Sequence, residues 1–320
     1  MQIEVYRSEY LESSHEVFWQ VTDLQGQTIA AHAPSELNIF PRSAIKMIQI
    51  LPLIRWKIQQ GHKLNPLEVS CGCASHVGQR IHTQVVAAWL ARMGCSEKNL
   101  VCGAHPPFND ESYEQLILSQ QKPSKLHNNC SGKHASQLEL AQALQAPMEN
   151  YFQPDHPVQQ ALRQEIENKS EHQLCHWGVD GCGIPAWQMP LSAFAKAMSS
   201  FAGLATNKNT AESLVYKYVV ENPEYNSGTD EFCTRLMQSG QGRWLVKVGA
   251  EGMMTAVAPQ LNRVFVLKAK DGSERAAQIG IASLMHRFLP APEQELLKPW
   301  TEKTLNNWSG TQVGMIKARF

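Results

Sequence analysis

The segment H-N-N-C-S-G-K-H-A places three reactive side chains close together in the middle of this sequence. Cys130 can supply a thiolate, Lys133 an amine and His134 an imidazole, all within about one helical turn. A later glycine-bearing turn, G-V-D-G-C-G-I-P, adds a second thiol at Cys182. Neither segment has the apolar periodicity that is typical of an element whose only task is packing. These features predict a polar active site that holds a metal ion.

Spacing alone leaves two interpretations of these cysteines open. Zinc ligands commonly occur as C-x-x-C or H-x-x-x-H pairs, and Cys130 and Cys182 follow neither spacing. Lysine can bind a metal only after it has lost its proton. The alternative to a zinc site is therefore a buried thiol pair beside a surface lysine. Asp180 and His134 are candidates for outer contacts of a metal or for contacts with a substrate.

A second kind of chemistry is suggested by the S-x-x-K motif of Ser43 and Lys46. Positions i and i+3 of a helix share one face, so the hydroxyl and the amine can meet. An ordinary lysine, with a pKa of about 10.4, is protonated at neutral pH, but burial or a neighbouring cation lowers that pKa. A neutral Lys46 could then accept the proton of Ser43. The motif also arises by chance, and a second copy ending at Lys122 is followed by Pro123, which disfavours helix there.

Two later segments extend this pattern. Penicillin-recognising hydrolases use S-x-x-K on a helix, then a serine-bearing loop, then K-[ST]-G on a late strand. In this chain Ser75 follows in C-G-C-A-S-H, and Lys247 follows in K-V-G near the end of a predicted strand. Val248 stands where the pattern has a hydroxyl residue, and no S-D-N triplet occurs. The order of the three parts indicates serine catalysis more strongly than any single part.

Composition excludes several other functions. Lys plus Arg and Asp plus Glu both number 29, so no excess of positive charge favours a nucleic acid as partner. No apolar window is long enough to span a bilayer, and the N-terminus lacks the pattern of a secretory signal. We therefore expect a cytoplasmic protein that acts on a small molecule. In that compartment the eight cysteines are expected to be reduced thiols.

The distribution of apolar residues predicts an α/β fold. Short β-rich runs occur near both ends of the chain, and helical patterns separated by Pro- and Gly-bearing loops occupy the middle. We expect one domain over 1–320, with a sheet lobe at about 1–65 and 241–320 and a helical lobe at about 66–240. A helix is predicted over 43–60, with a kink at Pro52.

Taken in order, these segments resemble the rhizobial-type (class 3) L-asparaginases of the asparaginase II family. The match runs through P-R-S-A-I-K-M-I-Q-I-L-P, C-A-S-H-V-G, C-G-A-H-P-P, L-H-N-N-C-S-G-K-H-A, G-V-D-G-C-G-I-P and K-V-G-A-E-G. The most specific parts are H-N-N-C-S-G-K-H and G-V-D-G-C. The resemblance covers nearly the whole chain. It implies a fold like that of serine β-lactamases and class A glutaminases, with an antiparallel sheet and an inserted all-helical lobe.

The resemblance also implies roles for individual residues. Ser43 with Lys46 would form one Ser–Lys pair, and Ser75 with Lys247 would form another. The implied zinc ligands, which a water molecule would complete, are Cys130, Lys133 and Cys182. The implied contacts of the substrate are Arg42, His134 and Asp180. A homodimer is implied as well.

The sequence therefore predicts an amidohydrolase that converts L-asparagine to L-aspartate and ammonia. Two alternatives remain open. A glutaminase or another serine amidase of the same fold is one, because glutamine differs from asparagine by a methylene, worth only about 1–3 kcal/mol of discrimination. A non-catalytic zinc-binding protein is the other. Comparing ammonia release from the two amides separates these possibilities.

Overall fold

A computed structural model describes residues 1–320 of the chain. The strands are β1 (Gln2–Arg7), β2 (Tyr10–Thr22), β3 (Thr28–His32), β4 (Asn38–Ile39), β5 (Trp177–Val179), β6 (Pro185–Trp187), β7 (Met189–Pro190), β8 (Leu245–Gly249), β9 (Met253–Ala258), β10 (Arg263–Ala269), β11 (Glu302–Asn306) and β12 (Gln312–Arg319). The α-helices are α1 (Lys46–Gln49), α2 (Leu51–Gln59), α3 (Pro66–Gly72), α4 (Arg80–Arg92), α5 (Asp110–Leu118), α6 (Ser131–Ala143), α7 (Pro157–Ser170), α8 (Leu191–Ala205), α9 (Ala211–Glu221), α10 (Pro223–Asn226), α11 (Phe232–Gly240), α12 (Glu274–Phe288) and α13 (Ala291–Leu297).

The main sheet has eight strands, and both ends of the chain contribute to it. Its order is β11-β12-β1-β2-β10-β9-β8, with β3 paired to β2, and every pair is antiparallel. The N-terminal strand β1 thus lies between the C-terminal strand β12 and β2. The predicted fold class, a sheet built from both termini with helices inserted between them, is confirmed.

Helices cover the centre of this sheet. All six residues of β9 are buried, as in a strand with both faces covered. Both α8 and α12 contact β9 and β10. The apolar run M-M-T-A-V-A therefore lacks the alternation seen in β2, where the buried residues Val17 and Trp19 stand between more exposed neighbours. The edge strand β8 pairs with β9 and carries Lys247.

Two separate hydrophobic cores hold the molecule together. The larger joins the sheet to α1, α8, α9 and α12, and the smaller lies among α2, α3, α4, α6 and α7. Met47 and Ile48, which follow Lys46, belong to the larger core, whereas Cys130 and Cys182 belong to the smaller. Residues with predicted chemistry therefore approach one another from the two cores.

The helix predicted over 43–60 is divided. A 3₁₀ helix over Arg42–Ile45 leads into α1, and a break at Ile50 separates α1 from α2. Pro52 occupies the first turn of α2, where its missing N–H costs nothing, so the chain breaks ahead of the proline. Ser43 consequently lies on a tight turn of helix before the α-helical part begins.

Candidate active site

Ser43 is brought to the sheet by a close approach of backbone to backbone. A Cβ atom added at Gly249 would lie 2.6 Å from the carbonyl oxygen of Pro41 and 3.2 Å from the amide nitrogen of Ala44. Only glycine therefore lets the 3₁₀ helix rest against the end of β8. Ser43 is half-buried there, and its Oγ is not among the atoms to which Lys46 and Lys247 donate hydrogen bonds.

Lys46 is the central contact of the site. Its side chain is buried, and its Nζ donates to the carbonyl oxygen of Ala74, to Ser75 Oγ at 3.1 Å and to Cys130 Sγ at 3.3 Å. These three acceptors match the three protons of an ammonium group. Lys46 thus links the serine-bearing loop to the first of the two thiols predicted to bind a metal.

Lys247 is the second buried amine. Its residue is 1% exposed, and Nζ donates to the carbonyl oxygen of Val248 at 3.2 Å. Burial, assisted by the positive charge of Lys46, lowers the pKa of Lys247 to about 7. A large fraction of Lys247 is therefore a neutral amine at physiological pH.

The hydrogen bonds differ from the two pairs that the resemblance implies. Ser75 is bonded to Lys46, and Ser43 and Lys247 make no bond to their implied partners. The four residues nevertheless share one region, since Lys46 bonds Ser75 and its charge acts on Lys247. The structure therefore brings the S-x-x-K residues, Ser75 and Lys247 into one region.

The loop that carries Ser75 is fixed by its backbone and by a buried histidine. The amide of Ser75 donates to the carbonyl of Asn226 at 3.0 Å, and the amide of His76 donates to Asn129 at 3.1 Å. His76 Nδ1 accepts an amide N–H two residues on, so its Nε2–H can donate to Ser131 Oγ at 2.9 Å. The loop is thereby joined to the start of α6.

Another glycine allows α6 to approach this loop. A Cβ atom at Gly132 would lie 2.2 Å from the carbonyl oxygen of Cys71, at the end of α3. The same first turn carries Cys130, whose amide donates to Asn128 Oδ1 at 2.9 Å, and Lys133. The segment H-N-N-C-S-G-K-H therefore needs its glycine for packing, and this packing sets its reactive side chains beside Ser75.

Cys182 reaches the same place from a hairpin. The turn between β5 and β6 is closed by a bond from the amide of Asp180 to the carbonyl of Ile184 at 2.8 Å, and Gly183 adopts a φ of +92° that favours glycine. Lys133 Nζ donates to Cys182 Sγ at 3.0 Å. A hydrogen bond from Cys130, with the charge of Lys133, lowers the pKa of Cys182 to about 5.

The three predicted metal ligands form a donor set of the kind that zinc takes. Thiolate sulfur and nitrogen are its usual ligands, and Cys130, Lys133 and Cys182 are all buried, with Cys182 bonded to both of the others. No group of three or more His, Cys, Asp or Glu residues could hold a metal ion, so any such site depends on the lysine. Lys133 must then lose its proton, although the two thiols raise its pKa against the effect of burial. Cys130, Lys133 and Cys182 therefore fit a zinc ion when Lys133 is a neutral amine.

Arg42 and Asp180 form an ion pair beside this cluster. Arg42 Nε lies 2.9 Å and Nη2 lies 2.5 Å from Asp180 Oδ1. Although burial opposes ionisation, the charges of Lys133 and Arg42 hold the pKa of Asp180 below its usual range. Arg42 has a φ of +50°, a strained conformation for a residue with a side chain, directly before Ser43. Arg42, Lys133 and Asp180 also line a cavity together with Trp187.

His134 directly follows Lys133 in α6. It is fully buried, and burial with the neighbouring charge of Lys133 lowers its pKa to about 3. Its Nδ1 is 2.7 Å from the hydroxyl of Tyr151, whereas its Nε2 has no hydrogen-bond partner in the protein. Tyr151 was not among the predicted site residues, because it stands in the loop before α7 with no motif around it.

One family of known proteins matches almost the whole of this chain. None of the helices is long and apolar enough to cross a membrane. A search of curated proteins finds no match. Among solved structures the chain is similar to a β-lactamase from Mycobacterium bovis, with 12% identity, a TM-score of 0.42, and 89% of this chain and 95% of that chain covered. A family model described as L-asparaginase II matches residues 3–318. The chain therefore belongs to the L-asparaginase II family.

Proposed function

We propose that this protein hydrolyses the side-chain amide of L-asparagine to L-aspartate and ammonia by serine–lysine catalysis. Membership of an asparaginase family supports an amidohydrolase. The observation that carries the serine–lysine part is the pair of buried lysines: Lys46 is bonded to Ser75, and Lys247 has a pKa of about 7. Perturbed titratable groups that meet in a buried cluster are typical of catalytic sites.

Ser43 is the nucleophile in this proposal. Its Oγ accepts no hydrogen bond from Lys46 or Lys247, so it is free to approach the amide carbon of a substrate. As the new C–O bond forms, the proton of Ser43 passes to the neutral amine of Lys247. Lys46, whose Nζ already donates to three acceptors, takes no part in this first step.

Ser75 then delivers a proton to the leaving nitrogen. Its Oγ accepts a hydrogen bond from Lys46 at 3.1 Å, so a proton given up by Ser75 can be replaced from that ammonium. The C–N bond breaks and ammonia leaves, with an aspartyl ester on Ser43. Water then attacks this ester, and its proton passes through Ser75 to the neutral amine of Lys46. Lys247 returns its proton to Ser43 as the ester bond breaks.

We further propose that Cys130, Lys133 and Cys182 hold a zinc ion. Their donor atoms support this assignment, and Asp180 and Arg42 flank them. When bound, zinc would polarise a substrate oxygen and orient the amino-acid end of asparagine. Arg42 and His134 are proposed to bind that end directly.

Metal analysis tests the zinc proposal. We expect about one zinc per chain in the wild type and little in Cys130→Ser or Cys182→Ser, because two thiolates provide most of the affinity. Cys175→Ser is the matched control, since Cys175 is exposed and should not affect the metal content. Zinc retained by both buried-cysteine variants would contradict the assignment.

Ammonia release tests the reaction itself. Wild-type protein should release ammonia from L-asparagine faster than from L-glutamine at equal concentration. Ser43→Ala should lose most of this activity, whereas Ser35→Ala, an exposed hydroxyl, should keep it. Full activity in Ser43→Ala, or none in the wild type with asparagine, would overturn the proposal. Faster release from glutamine would instead assign a glutaminase.

A homodimer is the final part of the proposal. Helix α5 has no buried residue, and Ile117 and Leu118 are 58% and 84% exposed. An unpartnered apolar face of this kind is typical of an interface. Sedimentation should give a dimer that Leu118→Lys weakens, and a wild-type monomer would contradict it. A cytoplasmic location, where the free thiols would stay reduced, is testable by cell fractionation.

A further inference from the structure

We propose that Tyr151 is a positioning residue that keeps His134 in the tautomer with its proton on Nε2, and that this N–H binds a carboxylate oxygen of the substrate. The first half of this inference stands on hydrogen bonding alone. The identity of the acceptor rests on the proposed function, because it assumes an amino-acid substrate.

The hydroxyl of Tyr151 is held between two groups. Its oxygen accepts the backbone N–H of Val101 at 3.0 Å and lies 2.7 Å from His134 Nδ1. The tyrosine residue is 1% exposed and the histidine is fully buried. Protein groups must therefore account for most of the hydrogen bonding at this contact.

Counting donors and acceptors selects one tautomer. If Tyr151 donates its O–H to Nδ1, its oxygen still accepts from Val101, and only the Nε2–H of His134 lacks a partner. If Nδ1 carried the proton instead, the tyrosine proton and the Nε2 lone pair would both lack partners. Unpaired buried polar groups are costly, so the arrangement with a single unpaired group is favoured.

The unpaired N–H lies among the charged groups of the site. The ionisable groups that act most strongly on the ring are Lys133, Cys130, Lys46 and Asp180. A donor fixed beside the positive charges of Lys133 and Lys46 is suited to an oxygen that carries negative charge. The α-carboxylate of an amino acid provides such an oxygen.

Nuclear magnetic resonance of the histidine ring nitrogens tests the tautomer without any turnover. In the wild type we expect His134 with a protonated Nε2 and a bare Nδ1, and a shift of the Nε2–H signal when L-aspartate is added. In Tyr151→Phe, which keeps the ring and removes the hydroxyl, the preference should weaken or reverse. A wild-type ring protonated on Nδ1, or an unchanged tautomer in Tyr151→Phe, would overturn the inference.

Kinetics supply the second readout. Because the contact aids binding, Tyr151→Phe should raise KM by about tenfold with a smaller change in kcat, as expected for one hydrogen bond. Tyr216→Phe, which removes a hydroxyl bonded to Gly242 away from the site, should leave both constants unchanged. An unchanged KM in Tyr151→Phe would overturn the role in binding.

Replacement of His134 separates a specific contact from general packing. The amide nitrogen of Gln can occupy the position of Nε2, whereas that of Asn lies nearer Nδ1. His134→Gln should therefore bind substrate better than His134→Asn, and the reverse order would contradict the proposed donor. A wild type that releases no ammonia would sink the proposed function, while the ring spectrum still decides the tautomer.

Discussion

At the scale of single residues, the two lysines determine what the site can do. Three acceptors surround the amine of Lys46, whereas Lys247 has one acceptor and a pKa of about 7. The sequence suggested Lys46 as the base, because it follows Ser43 at the spacing of a helical turn. The lowered pKa of Lys247 favours that residue as the base, and the hydrogen bond from Lys46 to Ser75 favours Lys46 as the donor that supports Ser75.

The pH dependence of activity should report Lys247. A base must be neutral to act, and the neutral fraction of a lysine rises with pH, so kcat/KM should increase between about pH 6 and pH 8 and then level off. Lys247→Met should lower kcat/KM by about 10²–10⁴-fold and remove this increase. Lys270→Met is the control, because Lys270 is an exposed residue paired with Glu16. The same rise persisting in Lys247→Met would assign it to another group.

The sequence predicts the site residues themselves more fully than it predicts the contacts between them. The order of S-x-x-K, a serine loop and a late lysine predicts Ser43, Ser75 and Lys247, because the order of motifs can be read directly from the sequence. The bond between Lys46 and Ser75 depends on how α1 meets the end of α3, which no local pattern encodes. The contact of Tyr151 with His134 joins a loop to α6 in the same way.

At the scale of elements, two close approaches assemble the site. Gly249 lets the 3₁₀ helix with Ser43 touch β8, and Gly132 lets α6 touch α3. K-V-G and S-G-K therefore combine a reactive lysine with the glycine that makes room for a neighbouring backbone. Glycine at both positions is explained by contact distance.

Gly249→Ala should disturb stability and activity together. The added methyl would meet the backbone of Pro41 at 2.6 Å, and overpacking of this kind costs about 1–3 kcal/mol. Denaturant unfolding should show that loss, and displacement of Ser43 should reduce ammonia release. Gly103→Ala, where an added Cβ meets nothing, should change neither. An alanine at 249 with wild-type stability and rate would refute this account of the packing.

Two elements of the structure, β11 and α3, are not predicted from the sequence. β11 reads E-K-T-L-N and is almost wholly exposed at the edge of the sheet, so it lacks the alternation that predicts a strand. α3 did carry a signal, because Asn65 caps it and Pro66 opens its first turn. The small residues C-G-C-A-S-H drew the interpretation toward a loop.

At the scale of the whole molecule, the site lies where two hydrophobic cores meet. Lys46 and Lys247 are anchored beside the larger core, whereas Cys130 and Cys182 belong to the smaller. The arrangement of the two parts must therefore be maintained by contacts outside the site. A buried network of charged side chains joins α2, α7 and α9 and is one such set of contacts.

Glu212 is the shared acceptor of that network. It accepts from Arg55 at 2.6 Å and from Lys169 at 2.8 Å, and its side chain is 4% exposed. Glu212→Gln should lower the free energy of unfolding by about 3 kcal/mol, because it leaves Lys169 buried without its main partner. Glu171→Gln breaks an exposed pair with Lys196 and should cost less than about 1 kcal/mol. Equal effects of the two changes would contradict the role of burial.

Trapping with hydroxylamine tests the central claim, that an aspartyl ester forms on Ser43, most directly. Hydroxylamine competes with water for an acyl-enzyme, so wild-type protein with L-asparagine should yield aspartyl hydroxamate as well as aspartate. Ser43→Ala should yield neither product, and Ser35→Ala should match the wild type. Aspartate formed by Ser43→Ala at the wild-type rate, or by the wild type with no hydroxamate at any hydroxylamine concentration, would contradict serine catalysis.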